Sequence, residues 1–80
     1  MKILNIRRPK APGAEARFDI ALTDQIRLFG LSLTKNADGA WRTYAPRNSG
    51  VRVASFHPAL ADLITRAAVA ALEGEAHDRD

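Results

Sequence analysis

Residues 41–53 read WRTYAPRNSGVRV: a strand, a proline-marked turn and a second strand, with an arginine in each part. Trp41 and Thr43 alternate with Arg42 and Tyr44 across a pleat, and Val51 and Val53 alternate with Arg52 and Ala54. One face of this unit can therefore be apolar while the other carries guanidinium groups. Arg42, Arg47 and Arg52 are its cations, and they make a binding surface possible here. The pattern predicts a loop over Pro46–Gly50 and a last strand over Val51–Phe56.

Toward the N-terminus, Asn36-Ala37-Asp38-Gly39 lies between two strand-like runs and has the turn residues and terminal glycine of a short hairpin loop. It sets Ala40–Ala45 antiparallel to Phe29–Thr34. Within the earlier run, Ile26 and Leu28 keep one phase of alternation and Leu31 and Leu33 the opposite one. The shift falls at Phe29-Gly30, which predicts a β-bulge or bend there, with glycine tolerating the backbone it needs. Thr23, Asp24 and Gln25 make the preceding turn. Before it, Glu15–Leu22 alternates with Ala16, Phe18, Ile20 and Leu22 on one side and Glu15, Arg17, Asp19 and Ala21 on the other, as a half-buried strand should. Lys2–Arg8, carrying Ile3, Leu4 and Ile6, reads as a first strand stopped by Pro9.

Toward the C-terminus, Pro58 suits the first turn of a helix and Gly74 its stop. Leu60, Leu63, Ile64, Ala67 and Ala71 follow helical spacing and are expected to cover the sheet, with Val69 and Leu72 off that stripe. Ala61, Ala68 and Leu72 form an adjoining flank interrupted by Thr65. The expected architecture is α+β: an antiparallel meander of about five strands followed by one helix, a single domain over 1–74, with 75–80 a frayed charged tail.

A chain of 80 residues has room for one core. A core of this size seldom supplies more than roughly 3–5 kcal/mol, and small folds add disulfides, a metal or self-association. The sequence has no cysteine, and its two histidines, His57 and His77, cannot close a structural zinc site without borrowed carboxylates. Self-association is the staple that remains, so a homodimer is expected. The longest wholly apolar run, Ala67–Leu72, is far below the roughly 20 residues that span a bilayer, so no membrane partner is expected. No secretion signal is evident, and the cytoplasm is the expected compartment. Charge is divided unevenly: residues 1–57 hold ten Lys/Arg against four Asp/Glu, net +6, and residues 58–80 hold two against five, net −3. A basic half favours a polyanionic partner.

The order of elements resembles the stage V sporulation protein G (SpoVG) family. The resemblance rests on Ile6-Arg7-Arg8 in the first strand, the ARFDIALTD run, the IRLFGLSLTKNADGAW hairpin, Tyr44-Ala45-Pro46-Arg47, and Phe56-His57-Pro58 ahead of the helix. It covers residues 3 to 73. The loop before the last strand is shorter here than in that family, and the helix is more apolar. What the resemblance implies is a small α+β fold that dimerises through its strands and binds DNA or RNA as a regulator, without enzymatic activity.

No catalytic constellation competes with a binding role. His57, between Phe56 and Pro58, reads as a helix-boundary residue; Ser32, Ser49 and Ser55 have no nucleophile elbow; Asp19 and Asp24 have nothing to pair them as acid and base. Gly39 and Gly50 belong to turns and not to a phosphate-cradling loop, and no cofactor is implied. Trp41 and Tyr44 lie near arginines, the combination that single-strand platforms use; at three residues apart they face opposite sides, with Trp41 toward the core and Tyr44 outward. Two readings follow. One is a dimeric nucleic-acid-binding regulator using Arg42, Arg47 and Arg52, with Arg7, Arg8 and Tyr44 in support. The other is a non-enzymatic protein-interaction module whose basic face merely solvates.

Overall fold

A computed structural model describes residues 1–10 and 13–78, and gives the backbone alone for 47, 48, 52 and 75–78. Strands β1 (Lys2–Arg7), β2 (Ala16–Ala21), β3 (Arg27–Lys35) and β4 (Trp41–Tyr44) form an antiparallel sheet in sequential order. Two short strands, β5 (Arg47–Asn48) and β6 (Val51–Arg52), make a separate hairpin, and helix α1 (Pro58–Asp78) follows.

Local chemistry explains the turns. After β2, the hydroxyl of Thr23 accepts the N–H groups of Gln25 and Ile26, each at 3.1 Å, while Leu22 N–H donates to Ile26 O across the loop. After β3, the side-chain oxygen of Asn36 accepts from Asp38 N and Ala40 N at 3.0 and 2.9 Å, and Gly39 takes φ 87°, which closes a three-residue loop over Ala37–Gly39.

The alternation read from Glu15–Leu22 holds in the sheet. Ala16, Phe18 and Ile20 are fully buried on one face, and Leu31 and Leu33 join them from β3. Helix α1 covers this face with Ile64, Ala68 and Leu72, reaching both β1 and β4, and half-buried Ile3, Ile6, Leu28 and Trp41 close its margins. Trp41 thus sits on the apolar side as expected, with Lys35 Nζ 5.2 Å from its ring centroid.

The break in phase on β3 is a bulge. Phe18 pairs with Leu31 and Ile20 with Leu28, so Phe29 and Gly30 together face the single residue Asp19. Gly30 takes φ 72°, and its N–H donates to Asp19 Oδ1 at 2.8 Å. A second register shift lies on the other side of the same residue: β1 pairs Ile3 with Ile20 and Asn5 with Asp19, leaving Leu4 as an extra residue.

Three expectations are corrected. The last strand over Val51–Phe56 does not join the sheet, which has four strands and not five. Ser49 and Gly50 both take positive φ, 53° and 79°, and turn the chain back on itself so that β6 pairs with β5. Val51 and Val53 are consequently exposed and form no apolar face.

The helix stripe is also rotated. Leu63, placed on the sheet side by its spacing, is 53% exposed, whereas Ala68 and Leu72, assigned to a flank, are core. Thr65 made that flank look polar, yet its hydroxyl donates to Ala61 O at 2.8 Å and accepts from the Thr43 hydroxyl at 2.7 Å, so the seam can bury it. Finally, α1 does not stop at Gly74. Its backbone is helical to Asp78, into the expected tail, and Gly74 does not take the left-handed conformation that a C-terminal glycine supplies. Arg79 and Asp80, the end of that tail, lie outside the described residues.

No helix among the described residues is long and apolar enough to cross a membrane.

Candidate nucleic-acid interface

With α1 on one side, the other face of the sheet is open among the described residues, and strand register decides what it displays. Arg7 on β1 pairs with Arg17 on β2, Arg17 with Ser32 on β3, and Ser32 with Tyr44 on β4. These residues alternate with buried or half-buried ones, so they form one lateral row across all four strands of the open face. A neighbouring position pairs Thr34 with Arg42, and at the opposite end of the face Ala21 pairs with both Lys2 and Arg27. A shallow depression at the β4 side of the row is lined by Arg17, Ser32, Thr34, Tyr44, Pro46 and Gly13.

Among the described residues the anions on this side are few. Asp19 lies in the middle, 19% exposed, with one carboxylate oxygen on the Gly30 N–H and the other 3.9 Å from an Arg7 guanidinium nitrogen. An ion pair at that separation with a half-exposed arginine is worth little, so Arg7 keeps most of its charge available to solvent. Glu15, just ahead of β2, is exposed and donates its backbone N–H to Leu33 O at 2.8 Å.

The residues expected to act together are divided by the fold. Arg7, Arg42 and Tyr44 share the open face, and Tyr44 is 50% exposed as its spacing from Trp41 required. Arg8 is exposed just beyond β1 and outside the register of the sheet. Arg47 and Arg52 are register partners on the β5–β6 hairpin, not members of the sheet. Arg42 therefore does not share a sheet with Arg47 and Arg52: it lies on β4 of the four-stranded sheet and they lie on the separate hairpin.

The sequence pattern alone does not single out Arg17 and Arg27, which the register also puts on this face. The ARFDIALTD alternation already turned Arg17 outward; only the lateral register, which depends on two bulges, aligns it with Arg7 and Tyr44. Arg27 was obscured by the bulge, which decides the side on which residues before Gly30 emerge.

The histidine next to the helix is occupied structurally. His57 O accepts the first helical N–H from Ala61 at 2.9 Å, and His57 Nδ1 accepts the Ala59 N–H at 3.1 Å, so the residue caps α1 with Pro58 as its first helical position. Among the described residues no group of three or more His, Cys, Asp or Glu is placed to hold a metal ion. Compared with protein-family models, curated proteins and solved structures, the chain matches none of them.

Proposed function

We propose that the chain is a small nucleic-acid-binding regulator of SpoVG-like type, acting by binding and not by catalysis, whose contact surface is the open face of the sheet. The observation that carries this reading is the row Arg7–Arg17–Ser32–Tyr44, with Arg42 at a neighbouring position and Arg27 toward the far end, on a face that the helix leaves free. Cations and hydroxyls at regular strand spacing meet the repeating phosphates of a polyanion, and phosphate contacts fix position without reading sequence. Arg8, Arg47 and Arg52 lie outside the row, and Arg17 joins it. Homodimerisation belongs to the same proposal: β1 and β4 are the sheet's edges, and an edge strand can pair with a second copy.

A gel shift at low salt with mixed-sequence DNA and RNA oligonucleotides tests the reading, and a shift with at least one of them is expected. A second reading has an observation of its own. Beside the β4 edge runs a groove lined by Trp41, Thr43, Phe56, Pro58, Ala61 and Thr65, which suits an extended peptide added to the sheet. No shift with any nucleic acid would favour that protein-interaction module.

A further inference from the structure

Phe29 is 62% exposed, and the fold uses a specific device to keep it so. Counting back from Leu33 and Leu31 in an uninterrupted strand would put Phe29 in the core and Leu28 outside. The extra residue at the bulge reverses this: Leu28 pairs with Ile20 and is half-buried, while Phe29 emerges on the open face. Gly30 at φ 72° and its hydrogen bond to Asp19 maintain the reversal. Bulges of this kind re-aim a side chain, and here the side chain is aromatic and faces water.

Phe29 has a counterpart. Arg27 and Phe29 flank inward-facing Leu28 on β3, and Arg42 and Tyr44 flank inward-facing Thr43 on β4. Because the strands are antiparallel, the order along the face is Arg27, Phe29, Tyr44, Arg42, with the two rings inside and the two guanidinium groups outside. Strand spacing and rise put the two aromatic positions roughly 10 Å apart. Arg17, opposite Ser32, lies beside the pair.

We infer that this face takes single-stranded nucleic acid, with one base stacked on Phe29, another on Tyr44, and the phosphates on Arg27, Arg17 and Arg42. The inference rests on the nucleic-acid reading above and narrows it. A ring on a flat sheet can stack only on a base whose face is free; in a duplex both faces are covered by neighbouring pairs. The charges select the occupant among those an exposed aromatic pair could take. A second copy docked by the same face would bring like arginines together around the rings, whereas a polyanion neutralises them.

Fluorescence anisotropy with a labelled short oligouridine and with a labelled duplex of equal length tests this on the wild type, Phe29→Ala, Phe29→Tyr and Arg42→Ala. The wild type is expected to prefer the single strand. Phe29→Ala should weaken that binding about tenfold, with Phe29→Tyr restoring it, as loss and return of one stacked base would. The salt slope should be unchanged by either Phe29 variant and lowered by Arg42→Ala, since only the arginine releases counterions. If Phe29→Ala binds like wild type while Arg42→Ala is weakened, stacking is overturned and the nucleic-acid reading stands. If the wild type binds neither probe, both fall. If Phe29→Ala instead turns a sedimenting dimer into a monomer, the face belongs to a second copy and the inference fails.

Discussion

At the scale of single residues, Asp19 and Gly30 decide how the sheet is used. Both bulges converge on Asp19, and its carboxylate takes the one N–H that the β3 bulge turns toward it. Space around Gly30 is open, with nothing within 4 Å of an added Cβ, so a substitution there is opposed by backbone conformation alone. Gly30→Val should lower stability by about 1–3 kcal/mol, read as a lower urea midpoint at unchanged slope. An unaltered midpoint would show that the left-handed conformation is not required. The phase change between Leu28 and Leu31 was enough to locate this bulge in the sequence. The part of Asp19 was not legible, because an outward position in an alternating strand reads the same whether its side chain is solvated or holds a neighbouring backbone.

At the scale of elements, local chemistry was legible where it is self-contained and illegible where a tertiary partner decides. The turns at Thr23 and Asn36, the β2 alternation and the Pro58 helix start depend on neighbours in sequence, and they form as read. The buried side of α1 depends on Thr43, which meets Thr65 from 22 residues away and lets a hydroxyl enter the seam. The resulting division can be measured. Ile64→Ala should cost about 2–5 kcal/mol as a core truncation, whereas Leu63→Ala should cost under about 1 kcal/mol. Comparable losses in denaturant unfolding would return Leu63 to the core side. The β5–β6 hairpin was missed for a similar reason: Val51 and Val53 alternate with Arg52 and Ala54 as a strand of the main sheet would, and the two positive φ angles at Ser49 and Gly50, which turn the chain back, are conformations rather than patterns.

At the scale of the whole molecule, the helix and the sheet divide the labour: one face is sealed, and the other presents cations and two aromatic side chains. The case for a dimer changes accordingly. Leu72 is 4% exposed within the core, so the helix offers no spare apolar surface there, and the sheet edges and the smallness of the core are what favour a second copy. Sedimentation at micromolar concentration should give twice the 8.7 kDa chain mass, and a stable monomer would refute the homodimer. That Arg7, Arg42 and Tyr44 share the open face was legible because alternation sorts faces; the row that Arg7 and Tyr44 form with Arg17 was not, since it requires registers set across three strand pairs. If that row holds phosphates, it does so through charge, so the salt dependence of oligonucleotide affinity reports on it. Wild-type log affinity should fall linearly with log salt, and Arg7→Ala/Arg17→Ala/Arg42→Ala, with its circular dichroism unchanged, should reduce the slope by about 2–3 while weakening all sequences alike. A triple variant with the wild-type slope and affinity would show that the row holds no phosphate.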